Sequence, residues 1–139
     1  MDKQLLEHSL ASVDLPDDGL TVRFYEILFD RYPAVEPMFQ RDRKIQAEML
    51  RTAIVSVIDH LDNAEWLTTN LGSLGKRHAE MGVTAPMYAA VGECMIEAMS
   101  EIGGDAWTGD MTAAWTEALT AVSSLMLAGY PGGDNHSGN

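Results

Sequence analysis

IQAEMLRTAIVSVIDHL, residues 45–61, spaces its apolar side chains three or four positions apart along the chain. Residues at that spacing lie on one face of an α-helix, because a helical turn takes about 3.6 residues. The resulting face consists of Gln46, Met49, Leu50, Ala53, Ile54, Val57, Ile58 and Leu61. The stretch therefore predicts an amphipathic helix that starts near Ile45 and turns this face inward.

The same helical spacing recurs on both sides of this stretch, and no run of strand length alternates polar and apolar residues. Asp17 or Asp18 is expected to cap the second helix, and Pro33 and Pro37 are expected to break the chain into a tight corner. Every predicted element is a helix, so the sequence indicates an all-α fold. The further helices are predicted at residues 3–13, about 18–32, after Asp62-Asn63 up to Gly82, from Thr84 to Gly103-Gly104, and about 108–128.

Charge and composition exclude several classes of function. The chain carries 21 acidic against 9 basic residues, a net charge of −12, and such a surface repels nucleic acid and anionic lipid. It has no apolar run of the about 18 residues that a membrane span needs, and no secretory signal at its N-terminus. Its one cysteine, Cys94, cannot form an internal disulfide. We therefore expect a cytoplasmic protein that has no membrane span and binds no nucleic acid.

The domain organisation follows from length and from the composition of the C-terminal end. A chain of 139 residues fits a single domain. Glycine, proline and asparagine crowd the last residues, which also include His136. We expect a domain over residues 1–129 and a flexible tail over 130–139.

His78 is the first candidate for chemistry, because it continues an apolar helix face while its neighbours in sequence are charged. A neutral imidazole in a dry pocket can ligate a metal such as haem iron. It can also be a core histidine that hydrogen-bonds to a backbone carbonyl, and the residues alone leave both interpretations open. His60, beside Asp59 at a helix end, is expected at the surface. The face that His78 continues consists of Leu67, Leu71 and Leu74.

Two polar side chains on predicted inward faces are further candidates. Tyr25 lies in an apolar stripe of the second helix, and Gln46 begins the face quoted above. Buried polar groups need partners, and a bound polar ligand would serve for both. The alternatives are a tyrosine whose oxygen reaches the surface and a glutamine that meets water at a frayed helix start. Phe39, after the two prolines, is either an apolar plate for a cofactor or a packing residue.

The order of these features along the chain resembles the globin domain of flavohaemoglobins and the single-domain bacterial haemoglobins related to it. The resemblance covers about residues 4–128 and implies the globin fold, in which six to eight helices surround a haem pocket. The motifs that carry it are Phe24-Tyr25-Glu26-Ile27-Leu28-Phe29, Tyr32-Pro33, Pro37-Met38-Phe39, Gln46-x-x-x-Leu50, Leu74-Gly75-Lys76-Arg77-His78, Tyr88, Val91-Gly92-Glu93 and Ala113-Ala114-Trp115.

The resemblance implies a role for each matching residue. His78 corresponds to the proximal histidine that ligates haem iron, and Phe39 to the phenylalanine that stacks on the porphyrin. Tyr25 and Gln46 correspond to the distal tyrosine and glutamine that hydrogen-bond to a bound gas. The other pocket residues that it implies are Leu50 over the iron, Leu74 on the proximal helix, Tyr88 near the axial histidine, and Arg43 and Arg77 for the haem propionates.

The function that the resemblance implies is reversible binding of O2, NO or CO at haem b, iron protoporphyrin IX. An enzymatic alternative is NO dioxygenation with a separate reductase, since flavohaemoglobins carry flavin and nicotinamide domains after the globin and this sequence stops there. A gas sensor and a haem-free helical adaptor are the remaining alternatives, and the oligomeric state stays open.

One departure from the family concerns the region after the last helix. Flavohaemoglobins place a glutamate there, next to the proximal histidine and tyrosine. Residues 128–133 of this chain, Ala-Gly-Tyr-Pro-Gly-Gly, contain no carboxylate. We therefore expect a weaker electron push on the iron, which favours reversible O2 binding over bond cleavage.

Overall fold

The computed structural model describes residues 1–131, and six α-helices account for most of them. The all-α prediction is confirmed, since these residues contain no strand, and the helix ends lie close to those predicted. The predicted tail, with His136, lies outside the described residues from 132 onward. The helices are α1 (Lys3–Val13), α2 (Gly19–Arg31), α3 (Arg43–Asp59), α4 (Ala64–Glu80), α5 (Ala85–Gly103) and α6 (Gly109–Ala128), with 3₁₀ helices at Pro16–Asp18, Pro33–Met38 and Gly104–Ala106.

Side chains cap most of the helix starts, but α2 differs from the prediction. Asp42 accepts from the backbone N–H of Lys44 and starts α3, and Asn63 starts α4 in the same way. Asp17 and Asp18 both adopt left-handed backbone conformations, with φ of 58° and 57°, and Asp18 makes no capping hydrogen bond. The predicted aspartate cap of α2 is therefore wrong, because a capping side chain reaches the helix N–H groups from an extended backbone.

The core consists of two separate apolar clusters. The larger one surrounds Phe24 and Leu28 of α2, and it takes Met95 and Met99 from α5 and Trp115 from α6. Within it the indole N–H of Trp115 donates to the Ser9 hydroxyl at 2.7 Å. The smaller cluster lies between α4 and α6 and consists of Leu67, Leu71 and Met126. No helix within residues 1–131 combines the length and apolar character that crossing a bilayer requires.

Helix α3 turns most of the predicted face inward, with Ile58 buried and Leu50 and Ile54 packed against the larger cluster, but the prediction is not right for every residue. Ala47, near the start of α3, is fully buried, and its backbone carbonyl accepts a hydrogen bond from the Thr21 hydroxyl at 2.8 Å. Helices α2 and α3 therefore approach closely at this point. Met49 is 46% exposed, and the inward position predicted for it is wrong. Its sulfur instead lies 3.5 Å from the Arg41 guanidinium at the protein surface. Apart from Met49 and the buried Ile58, the other residues of the predicted face, including Leu50, are half-buried.

Helices α4 and α6 pack with their backbones in contact. A Cβ atom at Gly75 of α4 would collide with the backbone carbonyl of Met126 in α6. A Cβ atom at Gly129 would likewise collide with the carbonyl of Gly72. Glycine at positions 75 and 129 therefore sets the distance between the two helices, and with it the placement of the last turn of α4.

This contact yields a stability prediction with a matched control on the same helix. Gly75→Ala should lower the free energy of unfolding by about 1–3 kcal/mol, because α4 must move away from α6. Gly72→Ala should raise it by about 0.5–1 kcal/mol, since a Cβ there meets nothing within 4 Å and alanine favours the helix. Chemical denaturation of both variants measures the difference, and equal effects would contradict this packing.

Candidate functional site

A pocket of about 170 Å³ opens where α2, the Pro33–Met38 corner and the start of α3 meet. It brings together four of the predicted site residues, Tyr25, Phe39, Arg43 and Gln46. The prolines of the corner place Phe39, and the Asp42 cap starts α3 so that Gln46 lies in its first turn. The pocket is completed by Phe29, Glu36 and Arg41.

Three aromatic rings form the apolar wall of the pocket. The ring centroids of Tyr25 and Phe39 lie 5.4 Å apart, and Phe29 lies 5.6 Å from Tyr25 and 5.3 Å from Phe39. The Arg43 guanidinium lies over the Phe29 ring at 4.9 Å and within 3.5 Å of the Glu36 carboxylate. Phe29 was not singled out from the sequence, although its spacing of four from Tyr25 put both on one helix face.

Tyr25 and Gln46 bring unpartnered polar groups to this wall. Tyr25 is 4% exposed, and neither its hydroxyl nor the Gln46 amide hydrogen-bonds to any residue within 1–131. Burial raises the pKa of Tyr25 to about 12, so the hydroxyl keeps its proton at neutral pH. Within residues 1–131, every side-chain N or O atom that lacks a hydrogen-bond partner is accessible to solvent. The Tyr25 hydroxyl is therefore open to the pocket. A ligand there would meet two hydrogen-bond donors.

His78 lies near the end of α4 with its imidazole fixed by the helix itself. Nδ1 is 2.9 Å from the carbonyl oxygen of Leu74, one turn earlier. A carbonyl can only accept, so in the neutral imidazole Nδ1 carries the proton and the lone pair lies on Nε2. The hydrogen bond that the core-histidine interpretation expects is therefore present, yet it uses only one ring nitrogen. The other nitrogen fits a bond to haem iron.

His60 has the same hydrogen bond but a different environment. Its Nδ1 lies 2.7 Å from the carbonyl of Ser56, four residues earlier. Its ring stacks on Trp66 with centroids 3.6 Å apart and planes 5° from parallel. His60 therefore serves to pack the turn between α3 and α4, and it provides a natural control for His78.

Tyr88 lies beside His78, with ring centroids 6.3 Å apart. Its hydroxyl is 2.9 Å from that of Tyr130, which in turn donates to the carbonyl of Val83 at 2.8 Å. Sequence reasoning missed Tyr130 because it was counted with the tail, and its aromatic ring among glycines was the available signal. The domain boundary at residue 129 stays a prediction, although Tyr130, just beyond it, is held by these two hydrogen bonds.

The other predicted pocket residues do not line the pocket. Leu50 is half-buried against the larger apolar cluster, and Leu74 against the smaller one. Arg77 is exposed. His78 and Tyr88 form a second group on α4 and α5, apart from the pocket residues. The site therefore consists of a pocket group and a histidine group, and the roles predicted for their members stay predictions.

The amino-acid sequence is similar to one protein family and to several curated proteins. The profile described as Globin matches residues 22–126. A flavohemoprotein of Halalkalibacterium halodurans is 24% identical over 128 residues, which are 90% of this chain and 31% of that protein. A flavohemoprotein of Bacillus thuringiensis is 28% identical over 112 residues, 78% of this chain and 27% of that protein. The chain thus spans less than a third of the length of these relatives.

Two solved structures have a similar backbone. An engineered carbene transferase, described as a form of a candidate nitric oxide dioxygenase from Rhodothermus marinus, is 27% identical with a TM-score of 0.77 and covers 89% of this chain and 87% of its own. A bacterial globin from Campylobacter jejuni is 24% identical with a TM-score of 0.75 and covers 89% of this chain and 90% of its own. The second likeness supports the fold alone.

Proposed function

The chain belongs to the globin family, as its motifs predicted, and from that premise we propose that it reversibly binds a diatomic gas, O2 above all, at haem b. Globins are haem-binding proteins, and the observation that supports gas binding most is the pair of unpartnered polar groups, Tyr25 and Gln46, in an aromatic pocket. NO and CO are the other ligands proposed for the same position. The single, buried thiol of Cys94 fits the reducing cytoplasm that we propose as its location.

The histidine group supplies the residue that would hold the cofactor. Bound haem supplies an iron with a coordination position open to a diatomic gas. His78 would ligate that iron through Nε2, because Nδ1 is already occupied by Leu74. Phe39 would pack on the porphyrin, and Arg43 and Arg77 would neutralise the propionates. The half-buried face of α3 offers further apolar surface for a porphyrin to cover.

The pocket group would retain the gas. A Tyr25 hydroxyl and a Gln46 amide can each donate one hydrogen bond to a polar diatomic ligand, and each bond is worth about 1–2 kcal/mol. The three aromatic rings beside these donors lower the local polarity, which strengthens the hydrogen bonds that a ligand would make there. A difference of about 1.4 kcal/mol changes a binding constant tenfold, so the two donors together would dominate ligand retention.

A second candidate function is NO dioxygenation, favoured by the 27% identity to the Rhodothermus marinus protein. The reaction combines O2 and NO with one electron to give nitrate, so it needs a separate reductase as partner. The same pocket would serve both functions. Nitrate formed in proportion to NO consumed, with a flavin reductase and NADH supplied, would favour the enzyme, whereas a stable oxy form that releases O2 unchanged would favour reversible binding.

His78→Ala tests the proposed ligand against a matched histidine. The variant should bind haem at least about tenfold more weakly than the parent, because even groups that only support a ligand contribute 10–100-fold in affinity. Added imidazole should restore the ferrous spectrum by occupying the vacated position. His60→Ala should bind haem as the parent does, since its ring packs on Trp66. Haem titration followed by the Soret band measures both, and an unchanged five-coordinate spectrum in His78→Ala without imidazole would refute the assignment.

Tyr25→Phe tests the proposed donor. Loss of its hydroxyl should speed O2 dissociation about tenfold while changing association much less, because the hydrogen bond forms only after the gas has entered. Tyr32→Phe is the control, since the Tyr32 hydroxyl lies 3.4 Å from the Glu93 carboxylate and does not line the pocket. Stopped-flow displacement of O2 by CO gives both rates. Equal dissociation rates in the two variants would exclude Tyr25 as the donor.

A further inference from the structure

A chain of hydrogen bonds behind His78 runs through two tyrosines to a backbone carbonyl. The hydroxyls of Tyr88 and Tyr130 are 2.9 Å apart, and the Tyr130 hydroxyl is 2.8 Å from the carbonyl oxygen of Val83. The backbone N–H of Val83 donates to the carbonyl of His78 itself at 3.0 Å. The turn that carries Val83 is therefore tied to His78 on one side and to Tyr130 on the other.

The chemistry of these groups fixes the direction of each proton. The Val83 carbonyl can only accept, so the single hydroxyl proton of Tyr130 points to it. Tyr130 must then accept from Tyr88, whose own single proton points away from His78. Tyr88 therefore has no proton left to donate toward the histidine. The Nδ1–H of His78 keeps the Leu74 carbonyl as its acceptor, and every acceptor along this chain is a neutral oxygen.

The same chain joins three helices at the point where His78 lies. Tyr88 belongs to α5, Tyr130 follows the end of α6, and Val83 lies in the turn after α4. Gly82 in that turn has a φ of 89°, a conformation that glycine adopts without strain. The close contact of α4 with α6 at Gly75 brings the end of α6 within reach of this turn.

We infer that Tyr130 is a positioning residue for His78, the proposed haem ligand. It holds the Tyr88 proton away from His78 and clamps the turn after α4, so that the imidazole stays a neutral ligand with one hydrogen bond. This role rests on the proposed function, in which His78 ligates haem iron. The family resemblance implies a carboxylate after the last helix, and in this chain Tyr130 follows α6 and supplies a neutral acceptor to Tyr88.

Resonance Raman spectra of the haem-loaded ferrous protein test the inference through the iron–histidine stretch. Tyr130→Phe should shift or broaden this band, because Tyr88 regains a free proton and the turn loses its clamp. Tyr130→Glu should shift it to higher frequency, since a carboxylate on Tyr88 makes the imidazole more basic. Tyr32→Phe, which alters a tyrosine outside the network, should leave the band unchanged.

Amide hydrogen exchange of the full chain tests the clamp on the turn after α4 independently of the haem spectrum. In Tyr130→Phe the Val83 amide should exchange about fivefold faster than in the parent, as expected for the loss of one hydrogen bond. Faster exchange with an unchanged Raman band would overturn the positioning role and leave a purely structural clamp. A parent protein with an iron–histidine band that Tyr130→Phe does not alter would overturn the inference alone, whereas a parent without such a band would overturn the proposed function and the inference with it.

Discussion

The hydrogen bond between Nδ1 of His78 and the Leu74 carbonyl is the interaction on which the proposed chemistry depends. It fixes the tautomer, and it leaves the lone pair of Nε2 available to a metal. An imidazole free to rotate about its side-chain bonds would lose entropy on binding a metal, and this one has lost much of it already on folding. The helix that carries His78 therefore also fixes the orientation of its ring.

The packing of α4 on α6 fixes the position of the end of α4, which carries His78. Glycine at position 75 lets the two backbones touch, which brings Tyr130 beside Tyr88 and the turn at Val83. On the opposite side of the site, Ala47 and Thr21 allow α3 to approach α2, which draws Gln46 toward Tyr25. Small residues at two helix crossings therefore determine where the large functional side chains meet.

Helical spacing predicted most of this fold, because every long helix repeats its apolar residues at one period. The prediction failed at Met49, because helical spacing identifies a face of the helix but not the place where a small residue such as Ala47 lets a neighbouring helix approach. It also failed at the start of α2, where two aspartates adopt left-handed backbone conformations. Tyr25, Phe39, Arg43 and Gln46 of the pocket were predicted from the sequence, whereas Tyr130 was missed because it was counted with the tail and its partner Tyr88 lies 42 positions away in the chain.

Locating the iron directly tests the central claim, that this globin holds its cofactor through His78. Crystals of the haem-reconstituted protein, measured at the iron absorption edge, give an anomalous peak at the metal without reference to any assumed pose. We expect one peak within bonding distance of Nε2 of His78. A peak beside another histidine, or no ordered peak in protein that has taken up haem, would contradict it.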